Sequence, residues 1–87
     1  MSLTKRDLLG YLARAGESSA RETAAAYGVR PAVAAMGLLR LVRQGLATRR
    51  FHPQQGMYLY RLSKRGEARL AFLERRSGLI ESIEPTP

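Results

Sequence analysis

Apolar residues near the start of the chain recur every three or four positions, which is the spacing of one face of an α-helix. Leu8 and Leu12 lie on such a face, and Thr4 precedes them in a position where its side chain would cap the helix. The pattern stops at Gly16. We therefore predict a first helix over residues 4–15.

A second, shorter helix is predicted directly afterwards. Ser19 and Glu22 are three residues apart, which is the spacing of a capping box, in which each side chain bonds the backbone N–H of the other residue. The alanine-rich segment that follows favours helix as far as Tyr27, and Gly28 is a natural stop.

A third helix is predicted over residues 31–44. Pro31 suits its first position, because proline has the φ of a helix and needs no backbone N–H there. Gly45 ends the pattern. Gly37 costs this helix about 1 kcal/mol relative to alanine, so we expect a neighbouring backbone or a ligand to lie close to it. Helical spacing allows Val33, Ala34, Leu38, Leu41 and Val42 to share one face of this helix.

After Gly45 the alternation of apolar and polar residues changes to a period of two, which predicts strands. One strand runs from Leu46 to His52 and a second from Met57 to Leu62. The segment Pro53–Gly56 between them has the composition of a turn, so the two strands form a hairpin.

A last helix is predicted after the hairpin, with Ser63 as its cap and its end near Arg76. Ser77-Gly78 is expected to break it. We predict one domain over residues 1–76 and a loose C-terminal tail over residues 77–87. The fold class is mainly α with a small β-hairpin.

The net charge of the chain indicates what kind of partner it binds. The chain has 87 residues and a formal net charge of +8, with 15 Lys and Arg against 7 Asp and Glu. Thirteen of the 15 are Arg, whose planar guanidinium matches phosphate and carboxylate groups. A small domain with this much positive charge favours an anionic partner. Nucleic acid is the first candidate, and an anionic membrane or an acidic protein is the second.

Other chemistries find little support. The chain contains no Cys and a single His, His52, so we predict neither a metal site nor a cofactor. The acidic residues are scattered and no glycine-rich phosphate loop is visible, so we do not expect an enzyme. Neither a membrane-spanning segment nor a signal peptide is visible, and we expect a soluble cytoplasmic protein.

The order of these elements resembles the winged helix-turn-helix domain. The resemblance covers about residues 4–76 and rests on AAAYGV at 24–29, LLRLVRQGL at 38–46 and YLYRLSKRG at 58–66. The last segment is similar to the strand-to-helix passage of MarR-like and PadR-like regulators. The resemblance implies that the third helix lies in the major groove of DNA, with the hairpin as a wing beside it.

The resemblance also implies which residues of this region point inward, namely Val29, Ala34, Leu38, Leu41 and Leu46. By this resemblance, the candidate DNA-binding residues lie on the outward face of the third helix and on the wing. They are Arg30, Ala32, Val33, Met36, Arg40, Arg43, Arg49, Arg50, His52, Gln54, Gln55 and Arg61, and Gly37 is also expected to face the groove. The wing aromatics are expected to hold the hairpin onto the helices. A homodimer on double-stranded DNA is the leading prediction, as a transcriptional regulator or a nucleoid-associated factor.

The middle of the predicted groove-facing surface is apolar, which leaves a second interpretation open. Base-contacting helices usually carry polar side chains, whereas this helix offers Ala, Val, Met and Gly. An exposed apolar patch surrounded by Arg is also typical of a protein interface. The alternative is therefore a winged-helix adaptor that binds a protein partner through its third helix.

Overall fold

The computed structural model describes the backbone of residues 3–83 and the side chains of residues 3–75. Four helices and three strands follow one another along the chain. They are α1 (Lys5–Ala15), β1 (Ser18–Ser19), α2 (Ala20–Tyr27), α3 (Pro31–Arg43), β2 (Ala47–His52), β3 (Met57–Leu62) and α4 (Lys64–Ile83).

Local capping sets the first two helix starts as predicted. The Asp7 backbone N–H donates to the Thr4 hydroxyl at 3.1 Å, and the Thr4 N–H donates back to the Asp7 carboxylate at 3.1 Å. Ser19 and Glu22 form the same reciprocal pair at the start of α2. Each box satisfies backbone donors that a helix start would otherwise leave unpaired.

The sheet contains a strand that the sequence pattern did not predict. Its order is β1-β3-β2, all antiparallel, so the hairpin strand β3 is central. Ser18 lies opposite Tyr60 and Ser19 opposite Leu59. Two serines are too short a run to show an alternating pattern, so β1 has no signal of its own. This short strand ties the base of the hairpin to the start of α2.

The hydrophobic core lies between the helices and the inner face of the sheet. Ala34, Leu38, Leu41 and Leu46 are buried as predicted, whereas Val29 is only half-buried. The cluster consists of Leu8, Leu9, Leu12, Leu38, Leu41, Leu46, Ala47, Tyr60 and Leu70. It draws on α1, α3, β2, β3 and α4, so the hairpin is part of the folded body at its base.

The passage from the hairpin into α4 is closely packed. The Ser63 hydroxyl donates to the Gly45 carbonyl oxygen at 2.6 Å and accepts from the Gly66 backbone N–H at 3.0 Å, which confirms Ser63 as a cap. A Cβ at the buried Gly66 would collide with the carbonyl oxygen of Leu46. Glycine at this position therefore lets α4 lie directly on the chain that enters β2.

The predicted end of the last helix is wrong. α4 continues through Ser77 and Gly78 to Ile83 instead of ending near Arg76. A single Gly inside a helix costs only about 1 kcal/mol relative to alanine, which good helix formers on either side can offset. Residues 84–87 of the predicted tail lie outside the described residues, and the domain boundary after residue 76 stays a prediction.

None of the helices within the described residues is both long and apolar enough to cross a membrane by itself. Helices α2 and α3 reach that length and hydropathy only when taken together, and they are bent by 117° relative to one another.

Candidate nucleic-acid interface

The outward face of α3 carries five of the predicted contact residues, and all five are exposed. They are Ala32, Val33, Met36, Arg40 and Arg43. Their spacing of three and four residues places them on one side of the helix, opposite the buried Ala34, Leu38 and Leu41. We call this exposed set the α3 stripe.

The α3 stripe divides into an apolar half and a basic half. Toward the N-terminus of the helix, 44% of Val33 and 59% of Met36 are exposed. Toward the C-terminus lie the exposed Arg40 and Arg43. Arg30 stands before the helix as its N-cap residue and makes no capping bond with its side chain. The guanidinium groups therefore surround an apolar patch on a surface open to solvent.

Gly37 does not belong to the α3 stripe, contrary to the prediction. It is half-buried, and a Cβ there would lie 2.6 Å from the Cδ1 atom of Leu8 in α1. The neighbour that explains this glycine is a core side chain. Gly37 therefore allows α1 and α3 to approach one another and does not face the groove.

The hairpin of β2 and β3, which we call the wing, presents different cations on its two faces. Residues directly opposite one another in an antiparallel pair share a face. Arg49 lies opposite Tyr60, on the face that packs on the core at the wing's base. Arg50 lies opposite Leu59, and Arg61 opposite Thr48, on the outer face. All three arginines are exposed.

On the inner face, the outer part of the wing carries an aromatic pair that also contacts a cation. The rings of Phe51 and Tyr58 meet edge to face with centroids 5.3 Å apart. The guanidinium of Arg49 lies 4.1 Å from the centroid of the Tyr58 ring, within the range of a cation–π contact. This contact gives Arg49 a defined position at the surface.

The prediction that the wing aromatics hold the hairpin onto the helices is wrong for two of them. Phe51 and Tyr58 are both exposed, and only Tyr60 is buried in the core. The wing extends beyond the helices, so the outer part of its inner face has no core to cover it. Phe51 and Tyr58 pack on one another there instead.

On the outer face, Arg50 reaches across the sheet to Glu17, which directly precedes β1. Its Nε and NH2 atoms donate to the two carboxylate oxygens of Glu17 at 2.9 and 2.8 Å. These hydrogen bonds lower the pKa of Glu17 below its ordinary value, and the charges of Arg50, Arg61 and His52 add to the effect. The ion pair joins the two edge strands over the central strand.

Sequence reasoning missed Glu17. The two partners are 33 residues apart, and no local spacing links them. Its one clue is its position next to Ser18, which pairs with β3 of the wing. The sequence alone does not show that pairing.

The turn of the wing contains the remaining predicted residues. Gln54 and Gln55 are exposed at its tip. His52 was expected to be exposed but is half-buried, and its Nδ1 atom accepts a hydrogen bond from the Gln55 backbone N–H at 3.3 Å. The Gly56 N–H donates to the His52 carbonyl oxygen at 2.8 Å. His52 therefore shapes the turn as well as standing near the surface.

A cleft of about 520 Å³ lies between the first turn of α3 and the wing. Pro31 and Ala32 form part of one wall, and Met57 and Tyr58 form part of another. Arg21, at the start of α2, also lines it and was not among the predicted residues. Because Ala32 belongs to both, the cleft and the α3 stripe form one continuous surface.

Acidic and histidine side chains do not gather into a metal site within the part of the chain that the structure describes. No group of three or more His, Cys, Asp or Glu residues there could hold an ion.

Comparisons with known proteins decide the family. The fold matches the crystal structure of AntR, an antimony-specific transcriptional repressor, with a TM-score of 0.70 and 30% sequence identity. The match covers 92% of this chain and 68% of AntR. The chain belongs to the winged helix-turn-helix transcription regulators. No family model matches the sequence, and no curated protein matches it.

Two further structures share the fold of this chain. YusO from Bacillus subtilis matches with a TM-score of 0.78 and 17% identity, over 92% of this chain and 59% of YusO. A mutant MarR from E. coli, complexed with operator DNA, matches with a TM-score of 0.77 and 20% identity, over 86% of this chain and 54% of MarR. The chain thus spans little more than half the length of these two proteins.

Proposed function

We propose that this protein is a DNA-binding transcription regulator that places α3 in the major groove and the wing on the adjacent backbone. The observation that carries the proposal is the continuous surface formed by the α3 stripe, the cleft and the wing. It is exposed and basic at its margins, and a helix and a hairpin form it side by side. MarR itself, which shares the fold, is known in complex with operator DNA.

Charge supports the same surface. Duplex DNA is a dense polyanion, and Lys and Arg side chains that neutralise phosphates supply much of the affinity. The chain carries a net charge of +8. Arg30, Arg40 and Arg43 flank the apolar half of the α3 stripe, and Arg21 lines the cleft. In this proposal each of them contacts a phosphate beside the inserted helix.

The wing contributes position more than sequence selectivity in this proposal. Arg49, Arg50 and Arg61 are the wing cations, and contacts to phosphates fix register and orientation without distinguishing bases. The cation–π contact of Arg49 and the ion pair of Arg50 hold two of these guanidinium groups in place before DNA arrives. His52, Gln54 and Gln55 at the turn complete the proposed contact set.

A homodimer is part of the proposal, with α4 as one contributing element. Phe72 is 51% exposed on α4, which is a large apolar side chain for a free surface. Size-exclusion chromatography with light scattering should give twice the 9.7 kDa of one chain. Phe72→Glu should shift the protein toward the monomer, whereas a wild-type monomer would contradict the dimer.

The experiment that tests the proposed function is a salt titration of DNA binding. Fluorescence anisotropy with a short labelled duplex gives the affinity at each salt concentration. Neutralisation of about four phosphates predicts a log–log slope of roughly −3.6. Absence of binding at low salt would overturn the proposal.

The alternative function is that of an adaptor that binds a protein through α3. The exposure of Val33 and Met36 favours it, because an apolar patch with a charged margin resembles the centre of a protein interface. In that case a substitution in the patch breaks a protein complex and leaves DNA binding by the wing intact.

A further inference from the structure

The half of α3 that would reach the bases contains no hydrogen-bonding side chain. In a helix-turn-helix, the N-terminal residues of the recognition helix contact base edges, and later residues approach the backbone. Here the N-terminal half of the α3 stripe is Ala32, Val33 and Met36, and the first polar side chain along the stripe is Arg40. Direct hydrogen bonding to bases by these three side chains is therefore ruled out by their chemistry.

The backbone at the start of α3 supplies few donors in their place. Pro31 has no N–H. The N–H groups of Val33 and Ala34 both donate to the Arg30 carbonyl oxygen, at 3.0 and 3.2 Å. What α3 offers a base is an apolar surface.

The major groove presents one prominent apolar group, the C5 methyl of thymine. The other base edges there are hydrogen-bond donors and acceptors. Placing Val33 or Met36 over such an edge would remove its water without supplying a partner, which is unfavourable. The same side chains placed on a thymine methyl bury apolar surface on both partners.

We propose that α3 selects duplexes that present thymine methyl groups to Val33 and Met36. The inference rests on the proposed function, and it names the chemistry by which that function would distinguish one duplex from another. Arg40 and Arg43 then hold the helix on the phosphates while the apolar half lies against the methyl groups.

Charge decides between DNA and a protein as the occupant of the patch. Arg30, Arg40 and Arg43 flank Val33 and Met36, and α3 itself carries no acidic residue. Duplex DNA carries phosphates along its backbones and thymine methyl groups in its major groove. It therefore matches both the basic margin and the apolar centre of the α3 surface.

Replacing thymine by deoxyuridine tests the proposal directly, because it removes the methyl group and keeps every hydrogen bond. Affinities are measured for short A·T duplexes with and without this replacement. Burial of one methyl group gives about a fourfold gain in affinity, and two give roughly fifteenfold. We expect a loss of that size with deoxyuridine and an unchanged salt slope, because methyl groups carry no charge.

Two protein variants assign the effect to the patch. The double variant Val33→Ala with Met36→Ala should bind the two duplexes equally. Arg40→Gln is the matched control on the same helix, and it should weaken binding to both duplexes while keeping their ratio. A thymine preference that survives in the double variant would assign the selectivity to DNA shape and overturn the proposal.

A gain-of-methyl experiment on the wild-type protein completes the test. Replacing cytosine by 5-methylcytosine in G·C duplexes should raise affinity, since it adds a methyl group at the same edge of the groove. If the protein binds DNA strongly but its affinity does not change with the methyl groups in either experiment, this inference is overturned and the proposed function stands. Absence of DNA binding would overturn both, and loss of a protein complex in the double variant would identify a protein as the occupant.

Discussion

Helix α3 and the wing expose their side chains in contrasting ways. On the wing, Arg49 lies on the ring of Tyr58 and Arg50 is paired with Glu17, so cations at the surface already have neighbours within the fold. On α3, Val33 and Met36 are open to solvent. The wing is thus organised before any partner arrives, whereas the apolar half of the α3 stripe gains its contacts only on binding.

This difference separates what substitutions should do. A change in the α3 stripe removes little from the folded protein, because the side chain is exposed, and it should act on binding. A change on the wing also disturbs contacts within the fold. The two regions can therefore be distinguished by measuring folding and DNA affinity on the same variants.

The largest effect is expected from Met36→Glu. A carboxylate at this position would face phosphates and base edges, and we expect DNA affinity to fall by about 100-fold or more, since two like charges at close range near a protein surface repel by several kcal/mol. Met36 is 59% exposed, so the melting temperature followed by circular dichroism should stay within a few degrees of wild type.

Met36→Gln is the control for this substitution, because it has the same shape as Glu without the charge. It should lose much less affinity than Met36→Glu. A folded Met36→Glu protein with intact affinity for DNA would show that α3 does not enter the groove.

An intermediate effect is expected from the two wing arginines taken one at a time. Arg49→Ala should weaken binding to all sequences by up to about tenfold and make the salt slope shallower by roughly 0.9, as for one lost phosphate contact. Arg50→Ala should weaken binding more, because it also leaves the carboxylate of Glu17 unpaired beside the DNA.

The double variant Arg50→Ala with Glu17→Gln isolates that second contribution. It should recover binding toward the level of Arg49→Ala, and together with the two single variants Arg50→Ala and Glu17→Gln it gives the coupling between the two side chains. Equal losses for Arg49→Ala and Arg50→Ala, with no recovery in the double variant, would mean that Glu17 does not act through Arg50.

The smallest effect is expected on stability, from Glu17→Gln. The pKa of Glu17 is lowered in the folded protein by its hydrogen bonds from Arg50. A group with a lowered folded-state pKa stabilises the fold above its unfolded value, which is about 4.3 for Glu, and loses that contribution as the pH falls through the lower folded value. Wild type should therefore melt slightly above Glu17→Gln at neutral pH.

That advantage should vanish in acid, below the folded-state pKa of Glu17. Thermal melts of both proteins across the acidic range check it. Glu74→Gln, an exposed site on α4, controls for the loss of one carboxylate. A difference between wild type and Glu17→Gln that persists at the lowest pH would have another origin than the ion pair.

Local chemistry explains which parts of the fold could be predicted. The capping boxes of Thr4 with Asp7 and of Ser19 with Glu22 act over three residues, so their signals are contiguous in the sequence. The change from a helical to a strand period after Gly45 is equally local. The helix starts and the wing strands therefore followed from pattern alone.

Contacts between distant segments explain the rest. β1 exists because Ser18 and Ser19 meet Tyr60 and Leu59, some 40 residues later in the chain. The pairing of Glu17 with Arg50 has the same non-local character. Strand alternation identified the face shared by residues such as Phe51, but not how far the helices extend to cover it.

The exposed surface of α3 was partly predictable. Helical spacing grouped Val33 with the buried Ala34 and Leu38, whereas the resemblance to a winged helix placed Val33 and Met36 on the outer face, and the structure leaves both exposed. The resemblance also placed Gly37 beside them, but its position against Leu8 depends on how α1 crosses α3. A crossing between two helices is set by the whole core and leaves no mark on a single segment.

Titration of the isotopically labelled protein with duplex DNA, followed by NMR of the backbone amides, tests the central claim most directly. The account predicts that the resonances of the α3 stripe, the cleft around Arg21 and the wing from Arg49 to Arg61 shift on binding. Amides on the exposed side of α4 around Phe72 should stay nearly unchanged. Shifts centred on α4, with the α3 stripe unaffected, would contradict DNA binding through α3 and the wing.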